Sequence, residues 1–93
     1  FLGVPFNIAS YSFLLYIISN VTGYKPGKLI HILGDCHIYE NHIQQVKEQL
    51  GREAFDFPKL VMEPLINMGF IDESLFTIQD YNFHPSIKGD MSA

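Results

Sequence analysis

His37 and Tyr39 stand two residues apart in a stretch that is rich in polar and ionisable side chains. In an extended segment both side chains leave the same face, ~6.5–7 Å apart along the chain. An imidazole and a phenol in this arrangement can both hydrogen-bond one hydroxyl, such as a sugar hydroxyl. The alternative is that both residues are half-buried and pair with the backbone, as most polar groups in a core do.

Asn7 is the second candidate. Its amide offers a donor beside an acceptor, which is the pair that the O4 and N3–H of a uracil ring require. Asn is also a preferred N-cap residue. The alternative is therefore that Asn7 caps a helix and binds no ligand. Asn7, His37 and Tyr39 thus suggest a pyrimidine-binding wall, and their spacing leaves both interpretations open.

Metal and nucleophile chemistry fit the sequence less well. Six potential ligands lie between residues 31 and 42: His31, Asp35, Cys36, His37, Glu40 and His42. No second Cys and no pair of His residues separated by three positions completes a ligand set, so we expect no metal site. Cys36 has no cation or helix N-terminus fixed beside it to favour the thiolate, which predicts a small core residue.

The elements that must hold these groups form a mixed α+β chain. Asn7 is predicted to cap a helix that runs to about Thr22 and ends at Gly23. Apolar residues occur on all sides of this helix, which predicts burial inside a larger body. Serines interrupt its apolar run well short of a ~20-residue membrane span, so we expect no membrane helix.

A turn is predicted at residues 24–27, followed by a long strand from Lys28 to Tyr39. Asn41 is predicted to cap a second helix that ends at Gly51. Later elements are short: a strand at 59–62, a helical turn near 72–76, a strand at 76–81, and an irregular end. These are fewer strands than a stable sheet usually needs.

Composition limits the function classes. The 93 residues make one domain at most, and the apolar start at Phe1 leads us to expect that the chain was cut from something longer. A net charge of -4 without a basic patch argues against nucleic acid and anionic membranes as partners. One Cys cannot form an internal disulfide, which indicates a reducing compartment and predicts a cytoplasmic protein.

The chain resembles thymidylate synthases along its whole length. Two highly specific stretches carry the resemblance, Phe1–Tyr11 (FLGVPFNIASY) and Leu33–His42 (LGDCHIYENH), and it continues through 48–50, 57–60 and 84–88. The resemblance implies that residues 1–93 are the C-terminal segment of a single thymidylate synthase domain: a buried helix, strands of a mixed sheet, and a short second helix. The N-terminal part of that domain would lie upstream of Phe1.

The resemblance also implies a role for each site residue. Asn7 would bind the uracil O4 and N3 of dUMP, and His37 and Tyr39 would hold the 3′-hydroxyl of its deoxyribose. The folate side would be lined by Leu2, Gly3, Phe6, Tyr39, Met91 and Ala93. Residues 91–93 would close over the folate, although the small side chain of Ala93 predicts weaker closure.

The implied activity is the reductive methylation of dUMP to dTMP with 5,10-methylenetetrahydrofolate, without a metal, by an obligate homodimer. The family's nucleophilic Cys, in a Pro-Cys-His motif, and its phosphate-binding Arg-Ser segment would lie upstream of Phe1. The segment by itself would therefore contain no catalytic residue and be inactive. Cys36 stands where the family usually has Ala, which argues against a nucleophile.

Two alternative functions and the question of a fused domain stay open. A folate-dependent dUMP hydroxymethylase would share the fold, and its reaction would end in the addition of water. A hydroxymethylase that acts on the cytosine nucleotide is disfavoured, because it would carry an Asp in place of Asn7. A non-catalytic remnant would serve only as a packing or interaction piece. A fused dihydrofolate reductase domain is compatible with the sequence, which does not test it.

Overall fold

The computed structural model describes residues 1–65 and 67–91. In chain order the elements are helix α1 (Val4–Thr22), a 3₁₀ turn (Glu40–His42), helix α2 (Ile43–Leu50), strand β1 (Lys59–Met62), two further 3₁₀ turns (Met68–Phe70 and Glu73–Leu75) and strand β2 (Phe76–Gln79). This is the mixed α+β composition that the sequence predicts.

Helix α1 begins one turn earlier than predicted. Gly3 occupies the N-cap position and Pro5 lies in the first turn, where its fixed φ suits a helix start. The backbone N–H of Asn7 donates to the Gly3 carbonyl at 3.1 Å, so Asn7 lies inside the helix and the predicted cap is wrong. The predicted end is confirmed: Gly23 adopts φ 76°, a left-handed conformation that glycine adopts without strain.

Most of the α1 surface is left uncovered by residues 1–65 and 67–91, so the predicted burial inside a larger body stays a prediction. Among the described residues, Ile17 and Ser19 are the buried positions of the helix, while Phe6 and Tyr11 are exposed. Its 19 residues are long and apolar enough to cross a membrane by length and composition. The predicted shortfall in span is therefore wrong, although a core helix with uncharged faces meets the same criterion.

The long strand predicted over residues 28–39 is wrong. These residues form an irregular, exposed segment with a bend at Gly34 and Asp35, and the predicted turn at 24–27 is irregular as well. A strand requires a neighbouring strand to pair its N–H and C=O groups. Within residues 1–65 and 67–91 the single sheet pairs β1 with β2 alone, so the apolar residues near 28–39 have no ladder to join.

Helix α2 is entered through the 3₁₀ turn rather than through a cap at Asn41. His42 occupies the N-cap position of α2, and its backbone N–H donates to the Tyr39 carbonyl at 2.9 Å. The predicted cap at Asn41 is therefore wrong, whereas the predicted end at Gly51 is confirmed. The turn brings Tyr39 and His42 close together at the start of the helix.

The two short strands confirm the sequence prediction. They pair antiparallel, with Lys59 opposite Gln79 and Met62 opposite Phe76, and β2 ends at Gln79. The predicted helical turn lies directly before β2, at Glu73–Leu75. Its cap is the Asp72 carboxylate, which accepts from the Ser74 N–H at 2.8 Å, and this bond lowers the pKa of Asp72.

Among the described residues, a ring contact and a side-chain amide join helix α1 to the sheet region. The rings of Phe13 and Phe76 have centroids 4.6 Å apart. The Asn20 side chain donates from Nδ2 to the Glu63 carbonyl at 3.3 Å and accepts from the Leu65 N–H at 2.8 Å. Asn20 therefore uses both ends of its amide to hold the segment after β1 against α1.

We expect Asn20→Ala to release this segment. Loss of two hydrogen bonds should reduce the free energy of local opening by roughly 1–3 kcal/mol. This reduction is measured as faster hydrogen exchange of the Leu65 amide. Asn20→Asp is the matched control, because its carboxylate still accepts from Leu65 while it no longer donates to Glu63. Exchange of Leu65 at the parent rate in Asn20→Ala would contradict this role.

We also expect the turn before β2 to depend on pH. Because folding lowers the pKa of Asp72, its cap is fully formed above the ordinary value of 3.8 and is lost as the pH falls through the lowered pKa. An NMR titration of the Ser74 amide should report this transition. In Asp72→Asn the side-chain oxygen still accepts but does not titrate, so the transition should disappear.

Candidate functional site

A cavity of about 580 Å³ opens between the first turn of α1, the irregular segment before α2, and the end of the described chain. Its wall is formed by Phe1, Leu2, Gly3, Val4, Phe6, Asn7, Leu33, Asp35, Cys36, His37, Tyr39, His42 and Met91. The structure brings every predicted site residue that it describes into this wall. Ala93 lies outside the described residues.

The first turn of α1 supplies three of the predicted residues. Gly3, Phe6 and Asn7 have the i, i+3, i+4 spacing that places residues on one helix face. Because Gly3 rather than Asn7 caps the helix, the Asn7 side chain belongs to the cavity wall and is exposed there. The early start of α1 thus leaves the Asn7 amide at the cavity.

His37 and Tyr39 lie side by side as predicted, although their segment is not a strand. Their ring centroids are 5.4 Å apart with the planes tilted by 33°. His37 is exposed and Tyr39 is 47% exposed, so each ring keeps surface that a ligand can contact. The imidazole and the phenol therefore form one polar edge of the cavity.

Asp35 is the nearest ionic neighbour of His37. Its Oδ1 lies 3.5 Å from His37 Nδ1, at the upper limit of hydrogen-bond length, and the Asp35 side chain is 94% exposed. Solvent weakens such a contact, so it restrains the imidazole only slightly. The ring nitrogens of His37 remain able to bind a group inside the cavity.

His42 is the wall residue whose importance the sequence did not indicate. It is 2% exposed, and its Nε2 lies 2.7 Å from the Asp90 carbonyl oxygen. Its ring lies 5.5 Å from Phe1 and 5.7 Å from Tyr39. The sequence presented it only as one potential metal ligand in a polar cluster, and no local pattern links it to Asp90.

Cys36 also lines the cavity and is exposed, so the prediction of a core residue is wrong. The reason is that the expected strand, which would have buried it, does not form. Among residues 1–65 and 67–91 no group of three or more His, Cys, Asp and Glu side chains is arranged to hold a metal ion.

The chemistry of the wall suits a flat ring system with one polar edge. Leu2, Phe6 and Met91 offer apolar contacts, and Phe6 is 76% exposed, so a ring bound here would cover it. Asn7, His37 and Tyr39 supply a few placed donors and acceptors, as expected for a small-molecule site.

Arg52, the one arginine in the sequence, lies outside this cavity and lines a smaller one of about 240 Å³. Its Nη1 donates to the Pro85 carbonyl at 2.8 Å, and its Nη2 donates to Glu48 at 3.1 Å. The guanidinium is thus engaged within the chain. The large cavity therefore has no bidentate arginine among its lining residues to hold a phosphate.

Comparison with known proteins gives a consistent result. The family model for thymidylate synthase matches residues 1–93. The chain is 51% identical over 92 residues to the thymidylate synthase of Homo sapiens, 46% over 99 residues to that of Mycoplasma pneumoniae, and 48% over 93 residues to that of Mycoplasma mobile. These alignments cover 98–99% of this chain and 29–32% of each relative, so the chain spans about a third of their length.

Proposed function

The chain belongs to the thymidylate synthase family, and on that premise we propose that it supplies the nucleotide and folate walls of a site that methylates dUMP to dTMP. One observation supports the proposal most directly: the residues assigned to both ligands, as far as they are described, line one cavity. We further propose that residues 1–93 are a segment of one longer cytoplasmic domain that acts as a homodimer.

The nucleotide side of the proposed site consists of Asn7, His37 and Tyr39. The Asn7 amide donates to the uracil O4 and accepts from N3–H, a pattern that cytosine does not match. His37 and Tyr39, with rings 5.4 Å apart, hold the 3′-hydroxyl, which both donates and accepts. These contacts orient the pyrimidine ring against the start of α1.

The folate side is the apolar part of the wall. Leu2, Phe6 and Met91 offer the surface on which a flat pterin and its aromatic linker stack, and Met91 is 84% exposed before such contact. When bound, 5,10-methylenetetrahydrofolate supplies the one-carbon unit and the hydride. In this proposal the role of the described residues is to bind, orient and exclude water.

The nucleophile and the phosphate-binding groups are proposed to come from the rest of the longer protein. Cys36 is a poor candidate for the attacking thiol, because the lining residues place no cation beside it; the nearby ionic group is the Asp35 carboxylate. Arg52 is engaged by Pro85 and Glu48 outside the cavity. Binding of the two ligands, rather than bond making, is what this segment contributes.

We expect Asn7→Asp in the full-length protein to move selectivity from dUMP toward dCMP. A carboxylate accepts from the exocyclic amine of cytosine and cannot donate to the uracil O4. The ratio of kcat/KM values for the two nucleotides should change by at least about tenfold, as expected when a buried hydrogen bond is mispaired.

The matched control is Asn7→Ala, which should weaken dUMP use without creating dCMP use. Unchanged dUMP/dCMP selectivity in Asn7→Asp would exclude the proposed role of Asn7.

The activity itself is tested by product analysis. The full-length protein, given dUMP and 5,10-methylenetetrahydrofolate, should release dTMP and dihydrofolate in equal amounts, and the 93-residue chain alone should release neither. Hydroxymethyl-dUMP with tetrahydrofolate would instead identify a hydroxymethylase. Absence of dUMP binding in calorimetry of the full-length protein would favour the non-catalytic remnant.

A further inference from the structure

We propose that His42 is a positioning residue that fixes the tail segment, residues 88–91, against the cavity wall and thereby sets the place of Met91. The kinetic part of this inference rests on the proposed function, since Met91 belongs to the folate side of the site. The structural part does not, because it concerns contacts within the chain.

The main contact is a short hydrogen bond across the fold. His42 Nε2 lies 2.7 Å from the Asp90 carbonyl oxygen, 48 positions along the chain, so the imidazole N–H donates to the tail. The His42 side of this bond is buried, with 2% of the residue exposed, while Asp90 is exposed. Removal of the imidazole N–H takes away the hydrogen bond that ties the Asp90 carbonyl to the wall, so the position of Asp90 is sensitive to the residue at position 42.

The tail also packs directly on the imidazole ring. A Cβ at Gly89 would lie 3.1 Å from His42 Nε2 and 3.2 Å from its Cδ2, so the backbone passes close to the ring at this point. Phe1 and Tyr39 flank the same ring, with centroid distances of 5.5 and 5.7 Å. His42 is therefore fixed by neighbours on the wall and has little freedom to follow a displaced tail.

A second side chain from the same helix start supports the arrangement. Gln45, three residues after His42, donates from Nε2 to the Lys88 carbonyl at 3.3 Å. Residues at this spacing lie on one face, so two side chains of that face hold the carbonyls of Lys88 and Asp90. Met91 follows Asp90 directly, and its place in the cavity wall depends on how Asp90 is held.

His42 also connects the two sides of the proposed site. Its ring contacts Tyr39, assigned to the nucleotide sugar, and its Nε2 holds the residue before Met91, assigned to the folate. A change at His42 should therefore disturb the folate side through the tail. The Tyr39 ring also contacts His37, with centroids 5.4 Å apart, so we expect it to be disturbed less.

The test compares two substitutions in the full-length protein. His42→Phe keeps an aromatic ring and removes the N–H, whereas His42→Gln keeps an N–H donor and removes the ring. We expect His42→Phe to raise the KM for 5,10-methylenetetrahydrofolate about fivefold, the size expected from losing one hydrogen bond, while the KM for dUMP stays within about twofold. His42→Gln should recover most of the folate affinity.

A second readout does not require activity. Trypsin cleaves after Lys88, inside the tail segment, and its rate reports how often that segment opens. We expect His42→Phe to accelerate cleavage at Lys88 about fivefold without accelerating cleavage at Lys28, Lys47 or Lys59. If the protein makes no dTMP, the proposed function fails while this readout still tests the contact.

The matched control is His84→Phe. His84 makes the same kind of bond, from Nε2 to the Glu53 carbonyl at 2.7 Å, but lines the smaller cavity. The His84→Phe protein should show the parental KM for 5,10-methylenetetrahydrofolate and the parental rate of cleavage at Lys88. A His42→Phe protein with parental folate KM and parental cleavage at Lys88 would overturn the proposal, as would faster cleavage at every lysine in both His42 variants.

Discussion

One buried imidazole connects the two ends of the described chain. The ring centroids of His42 and Phe1 are 5.5 Å apart, and His42 Nε2 lies 2.7 Å from the Asp90 carbonyl oxygen. His42 itself lies where the 3₁₀ turn leads into α2. The cavity lies among these segments, and its wall includes Phe1, His42 and Met91. At this point the start of α1 and the tail share His42 as a neighbour, and Gly89 of the tail also lies near the Phe1 ring.

Outside this region the chain has little core of its own. Ile17 is the buried hydrophobic residue among those described, and large apolar side chains along α1 remain in contact with water. Helix stability in proteins comes mainly from packing an apolar face against other protein surface. An apolar helix exposed in this way is therefore expected to pack against a further part of the protein. This supports the proposal that residues 1–93 work as part of a longer domain, and relatives about three times as long are consistent with it.

Local signals in the sequence predicted part of the fold correctly. Gly23 ends α1 because it adopts a left-handed conformation, and the turn before β2 forms where Asp72 can cap it. The predicted caps at Asn7 and Asn41 are wrong, because Pro5 and a 3₁₀ turn start the helices elsewhere. The strand at residues 28–39 fails for a non-local reason: the described chain provides no partner strand.

The sequence by itself determined the family and the pairing of His37 with Tyr39, since side chains two apart in an extended chain leave one side whether or not a sheet forms. Only the tertiary structure decided that Asn7, Tyr39 and Met91 share one cavity, and that His42 is the residue that holds the tail there. The physical reason is distance along the chain. A contact between residues 42 and 90 depends on how α1, α2 and the tail pack, and no local spacing encodes it.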